Sequence, residues 1–442
     1  MKKTLALSLL FAVVLSGIFA FAAETRFENC AETLNSLGLL LGDGTGFNLE
    51  AVPTRAQAGV MLIRLLGLEE TALASEYNHP FTDVPAWAEK YAGYLFESGL
   101  SKGVSETEFG SNNNCDVRMY TTFVLRALGY DDAAGDFRYE DAVSFGTMTG
   151  IVDPVIADGD FMRDNMAAIS YLGLFAQPKN RVADTLLDKL VAEGAVSAAA
   201  AQPILDQFKL YNEFSAAIST FNKENKIEMA ASMLIDVTIA GEKTSTLTEM
   251  TIKTHIDDSG SAELAGIGIT NTMGETRDME MYYTGGYFYI NMFGAKMKSD
   301  MGLEAALRQA GAYNAQIDAL YSLKGIKKTV VGETSLYEIE YSHPSFSSMA
   351  ISLLAGLELS LGNGLDIEFS FKDISYTGKI DNSGSFTGMD ISMLVDASVS
   401  IGNETFPMSC EYGIETNVVA VGDGVVITMP NDLDTYPLTG TP

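Results

Sequence analysis

The chain has 442 residues, 47% of them hydrophobic, and a formal net charge of −30. That length is too great for one ordinary core and implies two or three domains, while the apolar fraction excludes a disordered wall linker. With a pI near 4.3, nucleic-acid binding is excluded, because phosphate recognition needs clustered Lys and Arg.

The N-terminus sets the compartment. Lys2 and Lys3 precede an apolar run over residues 5–21, and Ala20-Phe21-Ala22 reads as a small-residue cleavage site. Residues 1–22 are therefore expected to be a secretory signal peptide. Leu15-Ser16-Gly17 is followed by Ile18, where lipid attachment needs a Cys thiol, so no lipid anchor is expected. No later segment reaches about 18 uninterrupted apolar residues, so no membrane span is expected either.

Residues 27–180 carry a degenerate repeat, expected as three copies over about 27–75, 80–132 and 137–180. The second copy is clearest. It runs Phe81-Thr82-Asp83-Val84-Pro85, Trp87-Ala88, Tyr94-Leu95, Gly99-Leu100, Gly103 and Phe109, and ends in Leu125-Arg126-Ala127-Leu128-Gly129. The first has Leu37-Gly38-Leu39, Gly42, Phe47, Thr54-Arg55-Ala56-Gln57 and Leu65-Leu66-Gly67. The third keeps Gly150-Ile151, Phe161-Met162-Arg163-Asp164 and Ile169-Ser170-Tyr171-Leu172. Each copy reads as helix, Gly-rich turn, helix. Trp87, Tyr91, Tyr94 and Leu95 recur at helical spacing, which places Trp87 in the core of its helix pair. Thr54 with Gln57 three residues on forms a capping-box signature. A single pair cannot hide its apolar stripe, but three packed together can.

These motifs, in this order, resemble the S-layer-homology (SLH) family. The resemblance implies an all-α bundle of three repeats with pseudo-threefold symmetry. It also implies grooves that bind anionic, often pyruvylated, secondary cell-wall polysaccharide through the Arg of a Thr-Arg-Ala-Glu motif. A guanidinium suits that role because it makes bidentate bonds to a carboxylate and stays charged. Arg55, preceded by Thr54, matches the motif, with Gln57 where the family has Glu. Phe47 to Arg55 is eight residues, and the same count from Phe109 lands on Val117. Arg118 is therefore one place out of register, about 100° around a helix. Arg163 lies eleven residues before Leu174, as Arg55 lies before Leu66, but Met162 replaces the Thr. The implied polymer-binding residues are thus Arg55, Thr54, Arg163 and Arg118, with Trp87 as a possible sugar-stacking platform.

Residues 181–225 read as a helical bridge. Leu186, Leu187, Leu190 and Val191 form one apolar stripe, and Ile204, Phe208, Tyr211 and Phe214 another. Pro203 is expected to start the longer helix.

From 226 to 442 the period becomes two. Strands are expected at 228–239 and 246–256, and a hairpin is built on Tyr282-Tyr283-Thr284-Gly285-Gly286-Tyr287-Phe288-Tyr289. Further strands are expected at 365–378, 386–400, 404–419 and 424–429, with helices interrupting at 302–323 and about 345–359. The fold class is α+β. The hairpin, Lys296-Met297-Lys298 and Pro430-Asn431-Asp432-Leu433-Asp434 are similar to the lipoprotein-carrier superfamily of lipid-carrying half-barrels. That resemblance implies a curved antiparallel sheet, partly covered by helices, around an apolar cavity. Met229, Met233, Met250, Met281 and Met292, with Tyr287, are the implied lining for a lipidic or hydrophobic ligand, since flexible thioethers suit adaptable surfaces. The same methionines could equally fill a closed core.

No catalytic or metal chemistry is expected. His79, His255 and His343 are scattered, and no G-x-S-x-G, S-x-x-K or H-E-x-x-H occurs. Asp158-Gly159-Asp160 lacks the twelfth-position ligand of a calcium loop. The three cysteines, Cys30, Cys115 and Cys410, cannot form a disulfide framework. A Cys30–Cys115 bridge stays open, with buried free thiols as the default. The expected protein needs no cofactor and is not an enzyme: a cell-wall-anchored binding protein or, alternatively, a structural envelope protein with a closed second domain.

Overall fold

The structure, a computed structural model, describes residues 27–42, 44–74, 76–239, 241–257, 259–309, 319–342, 366–401 and 404–438. The signal peptide at 1–22 and the helix expected near 345–359 lie outside them. The chain divides into two compact units. One holds Ala22–Lys209 and Ala319–Leu323, and the other holds Leu210–Asp318 and Lys324–Pro442.

In the first unit the regular elements are helices. They run α1 Glu28–Ser36, α2 Arg55–Leu65, α3 Glu69–Ala74, α4 Glu89–Glu97, α5 Val117–Ala127, α6 Ala142–Met148, α7 Pro154–Ala157, α8 Arg163–Phe175 and α9 Leu186–Ala192. Three of these helices, α1, α4 and α6, stop in the same way. Gly38, Gly99 and Gly150 follow them at φ +75, +75 and +78, a left-handed conformation that costs a residue without Cβ little. The amide of Leu39 then donates to Leu34 O, and that of Ile151 to Gly146 O, satisfying carbonyls the helix end would orphan. The second helix of each pair is the central one. α2 and α8 are buried almost all round, as expected of a helix without a polar face.

Two interfaces between pairs repeat the same stitching. The first two amides of α2, Arg55 and Ala56, donate to Asn113 O (2.8 Å) and Ser111 O (3.2 Å) of the loop before α5. Those of α8, Arg163 and Asp164, donate to Ala51 O (2.9 Å) and Leu49 O (3.1 Å) of the loop before α2. A helix N-terminus leaves its first amides without intrahelical partners. Here the neighbouring pair supplies them, so the pairs lock together where the helices begin.

The bridge expected over 181–225 is shared between the units. Leu186, Leu187 and Leu190 of α9 enter the first unit's core. α10, Ala198–Phe221, crosses the division at Lys209. Pro203 does not start α10 but lies inside it. Ala198 to Ala201 are strong helix formers that begin the helix earlier, at the cost of one hydrogen bond in its second turn.

The second unit is an eleven-stranded antiparallel sheet. Its strands are β1 Lys226–Ile239, β2 Glu242–Ile256, β3 Ala262–Thr272, β4 Glu275–Thr284, β5 Tyr287–Met292, β6 Ala295–Asp300, β7 Leu323–Val331, β8 Thr334–Tyr341, β9 Asp366–Asp381, β10 Phe386–Ile401 and β11 Glu404–Val421. The order is β6-β5-β4-β3-β2-β1-β11-β10-β9-β8-β7, so the first and last strands pair in the middle. The hairpin forms as expected, with Thr284 opposite Tyr287. A helix over Leu303–Gln309, α11, covers part of the expected 302–323 helix. No strand forms at 424–429. Ile427 and Met429 instead pack with Leu433 and Tyr436 on Ala265, Tyr282 and Tyr289, so their alternation reflects packing on a sheet face rather than pairing at an edge.

The two faces are distinct. On one, α11 places Ala306, Leu303 and Leu307 against Ile252, Leu264, Met279, Met281, Phe288 and Ile290. At the other end of that face, Phe214 of α10 stacks on Tyr337 at 5.2 Å. A Cβ on Gly378 would lie 2.1 Å from the Phe214 ring, so only glycine lets α10 approach. Gly378→Ala is expected to destabilise by about 2–3 kcal/mol through overpacking, read as a lower denaturant midpoint at unchanged m-value. An unchanged midpoint would contradict this packing.

Candidate functional site

Between the first two helix pairs lies a groove of 320 Å³ lined by Arg55, Lys102, Gly103, Val104, Met119, Thr122, Phe123, Arg126 and Tyr139. Arg55 is the first residue of α2. The Thr54 hydroxyl accepts from the Gln57 amide (3.4 Å) and the Gln57 side chain accepts from the Thr54 amide (3.0 Å). This reciprocal cap fixes the helix start and with it the direction of the arginine.

Arg55 is only 6% exposed. Its Nη2 donates to Ser101 Oγ at 2.9 Å, and its guanidinium lies 5.2 Å from the centroids of both Phe109 and Phe123. Its Nε has no hydrogen-bond partner, and among the described residues no carboxylate forms an ion pair with it. Burial lowers its pKa from the ordinary arginine value. A cation held out of water with one hydrogen bond, two ring faces and an idle N–H is poorly compensated. Such an arrangement is suited to an anion that completes it.

The other cations in the groove differ in availability. Arg126 is engaged: Nε and Nη2 hold Asp132 at 2.9 and 2.8 Å, and Nη1 donates to Leu100 O. The hydrogen bond from Arg126 holds the Asp132 carboxyl below its usual range. Lys102 is exposed and forms no ion pair among the described residues. Tyr139 stands 39% exposed at the rim. The lining has no His, Cys or carboxylate, so the groove offers donors and aromatic surface and no general base.

Asp83 holds the loop that carries Phe109 against Arg55. Its carboxylate accepts from the amides of Phe109 (2.7 Å), Gly110 (2.8 Å) and Ser111 (3.0 Å). Burial raises its pKa, but these three donors outweigh burial and hold it below the usual carboxylate range. The clasped loop carries Phe109 beneath the guanidinium and the Ser111 carbonyl that receives the α2 amide.

The remaining sequence candidates fall in different places. Arg163 begins α8 as Arg55 begins α2, and its Nε donates to Phe47 O at 3.0 Å. Its helix start lacks a capping hydroxyl; Asn165 Oδ1 accepts from the Met162 amide instead. Val117 takes the first position of α5, capped by Asp116. Arg118 is accordingly one residue on and lies over the Tyr139 ring at 5.9 Å. Trp87 corrects the sequence reading: it is 55% exposed, because it precedes α4 in a turn and Ala88, 2% exposed, takes the inward place. It is not among the residues lining the groove. Ser101, Lys102, Met119, Arg126 and Tyr139 were not singled out as site residues. Only Arg126, within the Leu-Arg-Ala-Leu-Gly motif, and Ser101 and Lys102, within the Gly-Leu-x-x-Gly turn, carried a sequence signal.

In the sheet unit, strand register puts Met229, Met233, Met250, Met281 and Met292 on one face. Tyr287 neighbours Phe288 in β5 and so faces the opposite way, which separates it from the methionines. Met281 and Met292 are 4% and 8% exposed and packed with their neighbours, while Met233 and Met250 are half-buried. Cys30, Cys115 and Cys410 are free thiols. Burial pushes Cys115 up to about 12 and Cys410 up to about 11.

No family model matches the chain. The chain is 31% identical over 178 residues to a cell surface protein of Thermoanaerobacter kivui, a stretch covering 36% of this chain and 23% of that protein. It is 28% identical over 144 residues to a surface layer protein of Brevibacillus choshinensis, covering 30% and 13%. It is likewise 28% identical over 146 residues to a middle cell wall protein of Brevibacillus brevis, covering 30% and 14%. The chain thus spans under a quarter of each relative. The names of these relatives place them at the cell surface, in a surface layer and in the cell wall. The chain is an exported protein of the cell wall or surface. Among solved structures, LprF from Mycobacterium bovis matches 50% of this chain and 95% of its own, at 8% identity and a TM-score of 0.27; so low a score carries no fold argument. No helix of the described residues is long and apolar enough to cross a membrane.

Proposed function

We propose that the helical unit is a triplet of degenerate S-layer-homology repeats that holds the protein non-covalently to an anionic secondary cell-wall polysaccharide. The observation that carries this reading is the buried, poorly compensated Arg55 at the head of a capped helix, in a groove that adds Lys102 and Tyr139. A carboxylate-bearing sugar, such as a pyruvyl ketal, supplies the acceptor that Arg55 lacks, and the ring of Tyr139 offers a face for the sugar. The stitching of helix starts at two interfaces and the shared glycine stops support three related copies. The protein acts without catalysis.

Titration of the full chain with soluble wall polysaccharide, before and after removal of its pyruvyl groups, tests the anion. Binding is expected to weaken at least tenfold on removal. Equal affinity for both forms would sink the carboxylate reading.

For the sheet unit, one reading is a module for a lipidic or hydrophobic ligand, supported by the half-buried Met233 and Met250. The packing of Met279, Met281 and Met292 beneath α11 favours a second reading, an envelope or protein-contact module with a closed core. Native mass spectrometry of the full chain separates them. Bound acyl-chain mass is the expected result for a lipid carrier; recovery of the bare chain alone, after incubation with fatty acid, is the expected result for a closed core.

A further inference from the structure

The face of the sheet opposite the methionines is only partly covered. Over β3–β5 the chain's own segment 427–436 lies on it, with Tyr436 against Tyr289 at 5.6 Å and Asp432 paired to Lys296. Beyond that cover, over β1–β3, four aliphatic side chains stand in the open. Leu234 is 44% exposed, Leu247 37%, Ile267 56% and Ile269 39%.

Register shows that they adjoin. Leu234 faces Leu247 across β1–β2, and Ile267 and Ile269 face Thr251 and Glu249 across β2–β3. Beside them the small side chains Ala230 and Ser232 leave a depression of 370 Å³, which Ile267 and Ile269 line. Exposed aliphatic residues scattered singly need no explanation, but a contiguous group beside a concavity does.

The lysines that β2 adds to this face, Lys243 and Lys253, are paired with Asp236 and Glu228 of β1, whereas the charges beside the depression are acidic. One cross-strand row runs Asp390, Glu415, Ser232, Glu249, Ile269 and Asp278 over six adjacent strands. Its four carboxylates meet a single cation, Lys379, which reaches Asp390 at 2.7 Å and Glu415 at 3.6 Å. Glu249 and Asp278 have no ion-pair partner among the described residues. Like charges set side by side on a sheet are unfavourable.

We propose that this face docks a segment of a protein partner in which aliphatic residues alternate with Lys or Arg. The covered part of the same face provides the precedent: apolar side chains seat on the sheet and an ion pair fixes them. There the sheet supplies the cation, Lys296, and the covering segment the acid. Over β1–β3 the lysines are already paired and the carboxylate left over is Glu249, so the partner must supply the cations. The aliphatic floor sets the depth of contact, and the carboxylate row sets its sign and steers encounter.

The test uses the full chain and two fluorescein-labelled synthetic octapeptides, one alternating Leu and Lys and one alternating Leu and Glu, followed by anisotropy. Saturable binding of the Leu-Lys peptide alone is expected. Ile267→Asn with Ile269→Asn leaves the net charge unchanged and is expected to weaken binding at least tenfold. Glu249→Gln with Glu415→Gln is expected to flatten its salt dependence. Undiminished binding by the Asn double variant, shown folded by circular dichroism, would overturn the proposal by reducing the attraction to net charge. Equal binding of the Leu-Glu peptide would overturn it as well. So would self-association of the wild-type chain that the Asn double variant abolishes while no peptide binds, since the face would then belong to a second copy.

Discussion

Arg55→Met is expected to weaken binding to wall polysaccharide by about 2 kcal/mol, roughly thirtyfold, the value of a charge-assisted hydrogen-bonding partner lost from a desolvated site. The fold is expected to keep its stability or gain. Met preserves the unbranched stem between Phe109 and Phe123 but removes a buried cation whose Nε has no partner. Replacing a poorly compensated buried charge by an apolar side chain of similar shape is often neutral or stabilising. The paired readout matters. If Arg55 served only to hold the two helix pairs together, the variant would lose stability and keep binding in proportion to folded protein. A melting temperature unchanged or raised, with binding lost, is the signature of a site residue maintained at some expense to the fold. Arg163→Met is expected to weaken binding less, because its Nε already donates to Phe47 O.

Asp83→Ala is expected to destabilise the helical unit by about 3 kcal/mol. Three backbone amides lose a charged acceptor at once, and hydrogen bonds to charged groups contribute about 1.5–3 kcal/mol each, before water replaces part of them. The pH dependence follows from the direction of the shift. The folded carboxyl titrates below the ordinary range, so its stabilisation is fully present above the unfolded pKa of about 4. It is lost as pH falls through the lower folded value. Wild type should therefore weaken steeply below about pH 4, while Asp83→Ala should be less stable at neutrality with a shallower acid slope. Chemical denaturation at pH 7 and pH 3 reads both quantities. Equal stability of the two chains at pH 7 would rule out Asp83 as the clasp of the loop that carries Phe109. Polysaccharide binding should fall with Asp83→Ala as well, since Phe109 and the acceptor of the α2 amide both lie on the loop it holds.

How far the sequence discloses this molecule depends on the range of the interactions involved. Local signals were legible. The glycines at 38, 99 and 150 end helices, Thr54 with Gln57 caps α2, and counting from Phe109 puts Val117, not Arg118, at the head of α5. Period alone misled at Trp87, which fits the helical spacing of Tyr91 and Leu95 but sits in a turn before the helix begins. It misled again at 424–429, where alternation marks packing on a sheet face.

The groove itself was largely illegible. Its walls come from the head of α2, the turn after Gly99, the body of α5 and Tyr139 near the third pair. No spacing rule brings those together. The strands β3 and β7 escaped the sequence reading for a compositional reason: Gly266 and Gly268 interrupt the first, and Lys324, Lys327 and Lys328 give the second a charged edge character rather than an apolar alternation. The partition of α10 between units is likewise a tertiary fact, set by Phe214 meeting Gly378 and Tyr337 far along the chain.

Wall anchoring through an anionic polymer is tested most directly by co-sedimentation of the full chain with isolated cell walls, intact and after acid stripping of the secondary polysaccharide from the peptidoglycan. The chain is expected to pellet with intact walls and to stay in the supernatant with stripped ones, and added soluble polysaccharide should release it. Equal pelleting with stripped walls would contradict the account.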